Sequence, residues 1–210
     1  MPLTPETFVL VRDDALRVRQ VREWSELLSP FEHRNRYEVR GSLDEPLLYA
    51  GEVGSGVGRA LLRSFLKARR PFTLELYTPA GAVALRLVRP FRLLLSRLRV
   101  EDRQGRVLGE VRQRFRLLRR TYDVVGPQGE PLARLVGPLL RPWTFHLERH
   151  GRPLATIQKR WRGLGVELLT DADSFGVRFE PALQDPTLRL LTLAATFLVD
   201  FVHFEKRRGD

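Results

Sequence analysis

The sequence predicts a mainly β protein, a closed antiparallel barrel of about twelve strands around a central hydrophobic C-terminal helix. Two observations lead to this fold class. Four consecutive stretches repeat one hairpin plan, and the most apolar segment of the chain, residues 190–201, comes almost last. The 210 residues are 43% hydrophobic, which suits one domain over residues 1–210. We expect the barrel at about 31–180, the helix at about 186–206, and a further strand or helix at about 7–30.

Each repeat has a short alternating apolar run, a turn that contains glycine, and a second alternating run. The four repeats and their turn glycines are 71–91 with Gly81, 97–115 with Gly105, 121–138 with Gly129, and 144–161 with Gly151. Period-2 alternation around a glycine turn is typical of a β-hairpin. A looser hairpin at 35–52 turns around Gly41, and a last one turns at 171–173, which gives six hairpins.

A meander of twelve strands must close or split, because an open sheet leaves unpaired edges. About eight strands make a barrel that side chains alone can fill, whereas twelve strands leave a wider interior. An α-helix, about 10 Å across, has the right size to fill that interior. The sequence therefore predicts that the C-terminal helix lies inside the barrel.

The C-terminal segment carries the start and stop signals of a helix. Asp185 and Pro186 supply a capping carboxylate and a first-turn proline, and the basic residues at 206–208 suit the helix C-terminal dipole. A helix of about 21 residues is about 30 Å long, enough to cross a bilayer. Only ten consecutive residues, 190–199, lack a charge, and this favours a buried core helix over a membrane span.

Polar residues recur at helical spacing along one face of this segment. This polar stripe comprises Arg189, Thr192, Thr196, Asp200 and His203. In a barrel core, the threonines would hydrogen-bond to their own helix and Asp200 would pair with an inward arginine. In a membrane helix, the stripe would form a polar track for lipid headgroups. The pattern favours the barrel core.

The chain carries a net charge of +11, and 33 of its 36 basic residues are arginine. Such an excess favours polyanions, either nucleic acid or an anionic membrane, although a compositional bias toward arginine is the alternative. No known nucleic-acid-binding motif is present, so we do not expect a nucleic-acid partner. The N-terminus lacks a secretory signal pattern, and this predicts a cytoplasmic protein.

The arginines concentrate, with aromatic and leucine side chains, in the links between hairpins. In a meander, these links share one end of the barrel, which predicts a basic surface for anionic phospholipid membranes there. The predicted headgroup-binding residues are Arg89, Arg92, Arg97, Arg114, Arg116, Arg119, Arg120, Arg141, Lys159, Arg160 and Arg162.

No catalytic constellation is present, and the four histidines lack metal-ligand spacing. The glycine-rich stretch at 51–60 matches neither a nucleophile elbow nor a dinucleotide-binding fingerprint. The sequence therefore predicts a binding or transport protein with no cofactor, and not an enzyme.

Six segments of the chain resemble the phospholipid scramblase family, which is related to the tubby-like C-terminal domain. They are SPFEHRNRYEVRGS (29–42), RPFTLEL (70–76), VRPFR (88–92), IQKRWRG (157–163), TDADSFGVRF (170–179) and FLVDFVHFE (197–205). The resemblance covers about residues 8–206 and implies a twelve-stranded barrel around a C-terminal helix. The Pro-rich extension and lipidated cysteine clusters of eukaryotic members are missing from this sequence, which suggests a minimal form of the domain.

This resemblance implies ATP-independent movement of phospholipids between leaflets by a protein associated with the plasma membrane. The alternative is a soluble tubby-like module that binds anionic headgroups through the arginine-rich end without transport.

The resemblance also implies a calcium loop that begins at Asp171. An EF-type loop needs oxygen ligands at positions 1, 3, 5, 7, 9 and 12, with glycine at position 6. Asp171, Asp173 and Gly176 fit, but three other ligand positions hold Phe175, Phe179 and Ala182. The pattern favours a tight turn followed by a core-facing strand, with at most a weak calcium site at Asp171 and Asp173.

Overall fold

The computed structural model describes residues 13–21, 34–53, 71–92, 94–117, 119–141, 143–159 and 174–203. Within these ranges the chain forms one closed antiparallel barrel and one helix, so the predicted fold class is confirmed. The strands are β1 Ala15–Val21, β2 Arg34–Arg40, β3 Pro46–Val53, β4 Phe72–Tyr77, β5 Val83–Arg89, β6 Arg97–Asp102, β7 Val107–Arg114, β8 Arg119–Val125, β9 Pro131–Pro138, β10 Thr144–Arg149, β11 Arg152–Lys159 and β12 Ser174–Phe179. The helix, α1, is Pro186–His203.

Every strand pairs with its neighbours in chain order, and β1 closes the ring between β2 and β12. We expected the barrel to begin near residue 31, with a further strand or helix at about 7–30, so the place of β1 in the ring was not predicted. The strand expected just before the turn at 171–173 lies outside the described residues, and β12 pairs directly with β11. The side chains of Phe175, Val177 and Phe179 in β12 are buried, as predicted for a core-facing strand.

Four hairpin turns use glycine in the left-handed region of backbone conformation. Gly81, Gly105, Gly129 and Gly151 have φ angles between 75° and 87°, which L-residues with a side chain adopt at a cost. The looser turn between β2 and β3 places Asp44 (φ 64°) in that region, and the amide of Asp44 donates to the carbonyl of Gly41 at 3.2 Å. The repeated glycines of the sequence thus mark the tight turns correctly.

α1 fills the barrel. Fourteen of its 18 residues are buried. Within the described part of the chain, α1 is long and apolar enough to cross a membrane, judged by length and composition alone. The Asp185 carboxylate caps it, with the Leu188 amide 3.2 Å from Oδ1. Thr192 and Thr196 donate to the carbonyls of Leu188 and Thr192, as predicted for a core helix.

Aromatic contacts and one glycine hold α1 against the barrel wall. The Phe201 ring stacks on Phe72 at a centroid distance of 4.1 Å and meets the edge of Tyr37 at 6.3 Å. A Cβ at Gly109 in β7 would lie 2.8 Å from Leu191 Cδ1 and 2.5 Å from the Val125 carbonyl oxygen. Glycine at this position therefore lets the helix approach the sheet closely.

The alternating strands give the barrel two different ends. The tight turns lie at one end, which we call the turn end, and α1 begins there. The connections β5–β6, β7–β8 and β9–β10 leave from the opposite end, which we call the link end. His203, the last described residue of α1, lies at the link end.

The packing of Phe201 yields a stability prediction. Phe201→Ala should lower the free energy of unfolding by about 3–5 kcal/mol, because it removes a ring that is 1% exposed and leaves a cavity. Leu140→Ala, at a side chain that is 97% exposed, should change it by less than about 0.5 kcal/mol. Urea denaturation measures both values. Equal losses would mean that α1 does not pack inside the ring.

Candidate membrane-binding surface

Large apolar side chains are exposed at the link end. Of the nine exposed large hydrophobic residues that the structure describes, eight lie in the three link-end connections. They are Phe91, Leu94, Leu95, Phe115, Leu117, Leu139, Leu140 and Trp143. The ninth, Leu43, lies in the turn between β2 and β3. A contiguous set of exposed apolar side chains with polar neighbours is typical of an interaction surface.

Four exposed arginines alternate with these apolar residues. Arg92, Arg116 and Arg141 lie in the connections, and Arg119 begins β8. None of the four side chains has an ion-pair or hydrogen-bond partner among the described residues. We call these four arginines and the eight apolar residues the basic rim.

The arginines of the barrel wall are paired with carboxylates. Arg97 and Arg112 both hydrogen-bond to Glu110, and Arg114 pairs with Asp123. Burial raises the pKa of Glu110, but the hydrogen bonds from the two arginines outweigh it and lower the pKa below its usual value. We expected Arg97 and Arg114 to bind headgroups, but their charges are largely neutralised by the carboxylates of Glu110 and Asp123.

Arg89 and Lys159 point into the barrel, so their predicted place on the exposed surface is wrong. Arg89 is 3% exposed and donates from Nη2 to Ser96 Oγ at 2.8 Å. Lys159 is 9% exposed, and its Nζ lies 3.9 Å from Asp200 Oδ1. Both cations lie near the C-terminal end of α1, where the helix dipole favours positive charge.

Arg120 also turns inward, beside the last turn of α1. Its guanidinium lies 4.6 Å from the centroid of the Phe145 ring, and its buried Nε has no hydrogen-bond partner among the described atoms. Burial lowers the pKa of Arg120. The His203 ring stacks on Phe145, and its Nε2 lies 2.7 Å from the Tyr122 hydroxyl. Burial, together with the charge of Arg120, lowers the pKa of His203 to about 4.

The polar stripe of α1 is bonded inside the barrel. At the turn end, Arg189 donates to the carbonyls of Leu183 at 2.7 Å and Asp13 at 3.1 Å. At the link end, Asp200 accepts a hydrogen bond from the Tyr37 hydroxyl at 3.0 Å. Lys159 is an ionic partner of Asp200, with Nζ 3.9 Å from Oδ1, and the predicted pairing with an arginine stays a prediction.

The two ends differ in charge. The described connections at the link end contain three arginines and no acidic residue. The described non-strand residues at the turn end contain two arginines, Arg103 and Arg106, and seven acidic residues: Asp13, Asp14, Asp44, Glu45, Glu130, Glu180 and Asp185. Among the described non-strand residues, positive charge therefore lies at the end that also exposes apolar side chains.

Four predicted site residues, Arg160, Arg162, Asp171 and Asp173, lie outside the described residues. Over the described ranges, no group of three or more His, Asp or Glu side chains is arranged to hold a metal ion.

A groove on the outer wall opens beside the basic rim. Its volume is about 460 Å³, and it lies between the β7–β8 connection and the outer faces of β8, β9 and β10. Rim residues Arg116, Leu117 and Arg119 line it together with Arg134 and Glu148. Sequence reasoning missed Arg134 and Glu148, although their alternation with buried Leu135 and Leu147 indicates that they face outward.

Comparison with known proteins gives one family. The family model described as Scramblase matches residues 2–206. Phospholipid scramblase 2 of Bos taurus is 28% identical over 96% of this chain, and phospholipid scramblase 1 of Mus musculus is 29% identical over 96%. Altered inheritance rate of mitochondria protein 25 of Saccharomyces cerevisiae is 23% identical over 83%. The alignments span 72%, 64% and 60% of these relatives' own lengths. No solved structure gives a significant match.

The environment of His203 predicts a dependence of stability on pH. Its pKa is about 4 in the fold, against an ordinary value of 6.5, so the unfolded chain binds the proton more tightly. Stability should therefore fall as pH drops from 6.5 toward 4, by about 2 kcal/mol between 6.5 and 4.5. The paired carboxylates Glu38 and Glu110 have lowered pKa values, so they lose stabilisation mainly below 4.5.

Urea denaturation at pH 6.5 and 4.5 measures this loss. His203→Gln, which cannot take up the proton, should flatten the dependence in that window. An unchanged slope in His203→Gln would contradict the buried, neutral imidazole.

Proposed function

The chain belongs to the Scramblase family, and on this premise we propose that it binds anionic phospholipid membranes through the basic rim. One observation carries the proposal: at the link end, arginines without partners among the described residues alternate with exposed Phe, Leu and Trp side chains. Basic and aromatic side chains together suit the headgroup region of a bilayer.

Charge and apolar area would act together at this surface. Each arginine near an anionic bilayer contributes about 1 kcal/mol, and the contribution falls off within a Debye length. The leucine and aromatic side chains of the rim would enter the boundary between headgroups and acyl chains. Binding of this kind leaves α1 inside the barrel.

We further propose that the protein acts at the cytoplasmic face of the plasma membrane.

A second candidate function is ATP-independent movement of phospholipids between leaflets. Two observations favour it: several relatives are named phospholipid scramblases, and α1 has the length and composition of a membrane span. Movement of headgroups requires a polar route across about 30 Å of hydrocarbon. The polar stripe of α1 would serve as that route only if α1 left the barrel, which would break the contacts of Arg189 and Asp200.

Membrane binding through the rim can be tested by charge reversal with a matched control. Arg116→Glu/Arg141→Glu should weaken binding to vesicles that contain phosphatidylglycerol by at least about tenfold, because two attractive charges become repulsive. Arg103→Glu/Arg152→Glu makes the same change in net charge at the turn end and should leave binding nearly unchanged. Vesicle flotation at low and high salt measures binding.

Wild-type binding should weaken at high salt. Equal losses in the two double variants would indicate that only total charge matters, and would contradict the rim. Binding that neither variant changes would contradict it as well.

A further inference from the structure

We propose that the outer-wall groove beside the rim binds a headgroup that carries both a phosphate and a primary ammonium, as in an aminophospholipid. This inference rests on the proposed membrane binding and adds a specificity to it. The groove holds charges of both signs, and Arg116, Arg119 and Glu148 have no ion-pair or hydrogen-bond partner in the described part of the chain.

The positive side of the groove lies at the membrane-proximal edge. Arg116 and Arg119 line it there, and neither side chain has an ion-pair or hydrogen-bond partner among the described residues. Two free guanidinium groups beside an opening at the rim suit a phosphate, because guanidinium forms strong charge-assisted hydrogen bonds with phosphate oxygens.

The negative side of the groove lies on the outer wall, farther from the link end. Glu148 in β10 pairs in register with Arg134 in β9, yet the Arg134 guanidinium forms its ion pair with Asp123, at 3.5 Å. The half-buried Glu148 carboxylate has no ion-pair or hydrogen-bond partner among the described residues. It therefore offers an acceptor for an ammonium group inside a groove that also holds free arginines.

The order of these charges matches the order of groups in an aminophospholipid. Arg119 begins β8 at the link end, and Asp123, which pairs with Arg134, lies four residues farther along the strand. Four residues of β-strand span about 13 Å. A lipid whose acyl chains enter the bilayer at the rim would place its phosphate near Arg116 and Arg119. Its ammonium, which is linked beyond the phosphate, would then point toward Glu148.

The floor of the groove suits such a ligand. Thr121 and Val136 face each other across β8 and β9 between the two charged sites. Leu117, which is 83% exposed, forms the apolar lip where acyl chains would begin. Phosphatidylglycerol offers a phosphate but no ammonium, and so it would use only the arginines.

Vesicle binding tests the role of Glu148. The probes are phosphatidylcholine vesicles with a fixed fraction of phosphatidylglycerol, with or without phosphatidylethanolamine in place of part of the phosphatidylcholine. Net charge is the same in both. Wild-type protein should bind the phosphatidylethanolamine vesicles about two- to fivefold more tightly, the range of a partly exposed ion pair. Glu148→Gln should lose this increment and keep its affinity for the vesicles without phosphatidylethanolamine.

Glu101→Gln, which removes a carboxylate from β6 outside the groove, should keep the increment. An equal increment in wild-type protein and Glu148→Gln would overturn the inference, because the Glu148 carboxylate would then contribute nothing to binding. This is also the outcome expected if Glu148 is already paired with Arg134. The binding of both proteins to phosphatidylglycerol vesicles would then still support the proposed function.

A soluble probe separates the groove from the membrane. Glycerophosphoethanolamine should shift the amide resonances of Thr121, Val136 and Glu148 in wild-type protein, and much less in Glu148→Gln. This titration measures headgroup binding to the groove without a membrane. If the soluble headgroup binds but no vesicle does, the proposed function fails and the headgroup site is still supported. Identical shifts in the two proteins, or none in wild-type protein, would overturn the inference.

Discussion

The burial of α1 inside the ring of strands is the constraint on which the rest of this structure depends. Twelve strands enclose more space than their own side chains fill, and the helix supplies the missing volume. Its direction then determines the chemistry of both ends. The helix N-terminus places Arg189 beside the backbone of Asp13, and the C-terminus places Asp200 beside Lys159 and Tyr37. The polar groups of α1 are satisfied within the barrel, which leaves the outer surface to make contacts with partners.

The described arginines lie in three environments: paired on the barrel wall, turned inward, or exposed to solvent where a ligand can reach them. Wall arginines such as Arg97 are paired with carboxylates on neighbouring strands. Inward residues such as Arg89 and Arg120 pack on aromatic rings at the link end. Among the described residues, the rim arginines face solvent without protein partners, and so do Arg103 and Arg152 at the turn end. The net charge of +11 therefore overstates the charge available to a membrane, and we propose that the rim arginines, which lie beside exposed apolar side chains, supply the part that acts there.

Sequence patterns predicted the ring, its turns and its core helix, because local chemistry determines each of them. They also contained a signal for the inward cations that we did not use. Alternate residues of a strand face the same side of the sheet. Arg89 alternates with buried Leu85 and Leu87, and Lys159 alternates with buried Ala155 and Ile157, so both cations face the interior. A strand or helix was expected at about 7–30, but the place of β1 in the ring was missed because β1 is far in sequence from β12, its partner there. The groove depends on the register of β8, β9 and β10 and on the adjacent connection, and no local pattern specifies that combination.

We propose that the rim enters the membrane while α1 stays in the barrel. Because the chain contains no cysteine, one introduced thiol can be followed at a time. The most direct measurement compares Leu140→Cys in the rim with Ala195→Cys in the buried face of α1, using a lipid-soluble maleimide in anionic vesicles. We predict rapid labelling of the Leu140→Cys variant and almost none of the Ala195→Cys variant. Comparable labelling of both variants would show that α1 has left the barrel and entered the bilayer, and would contradict this account.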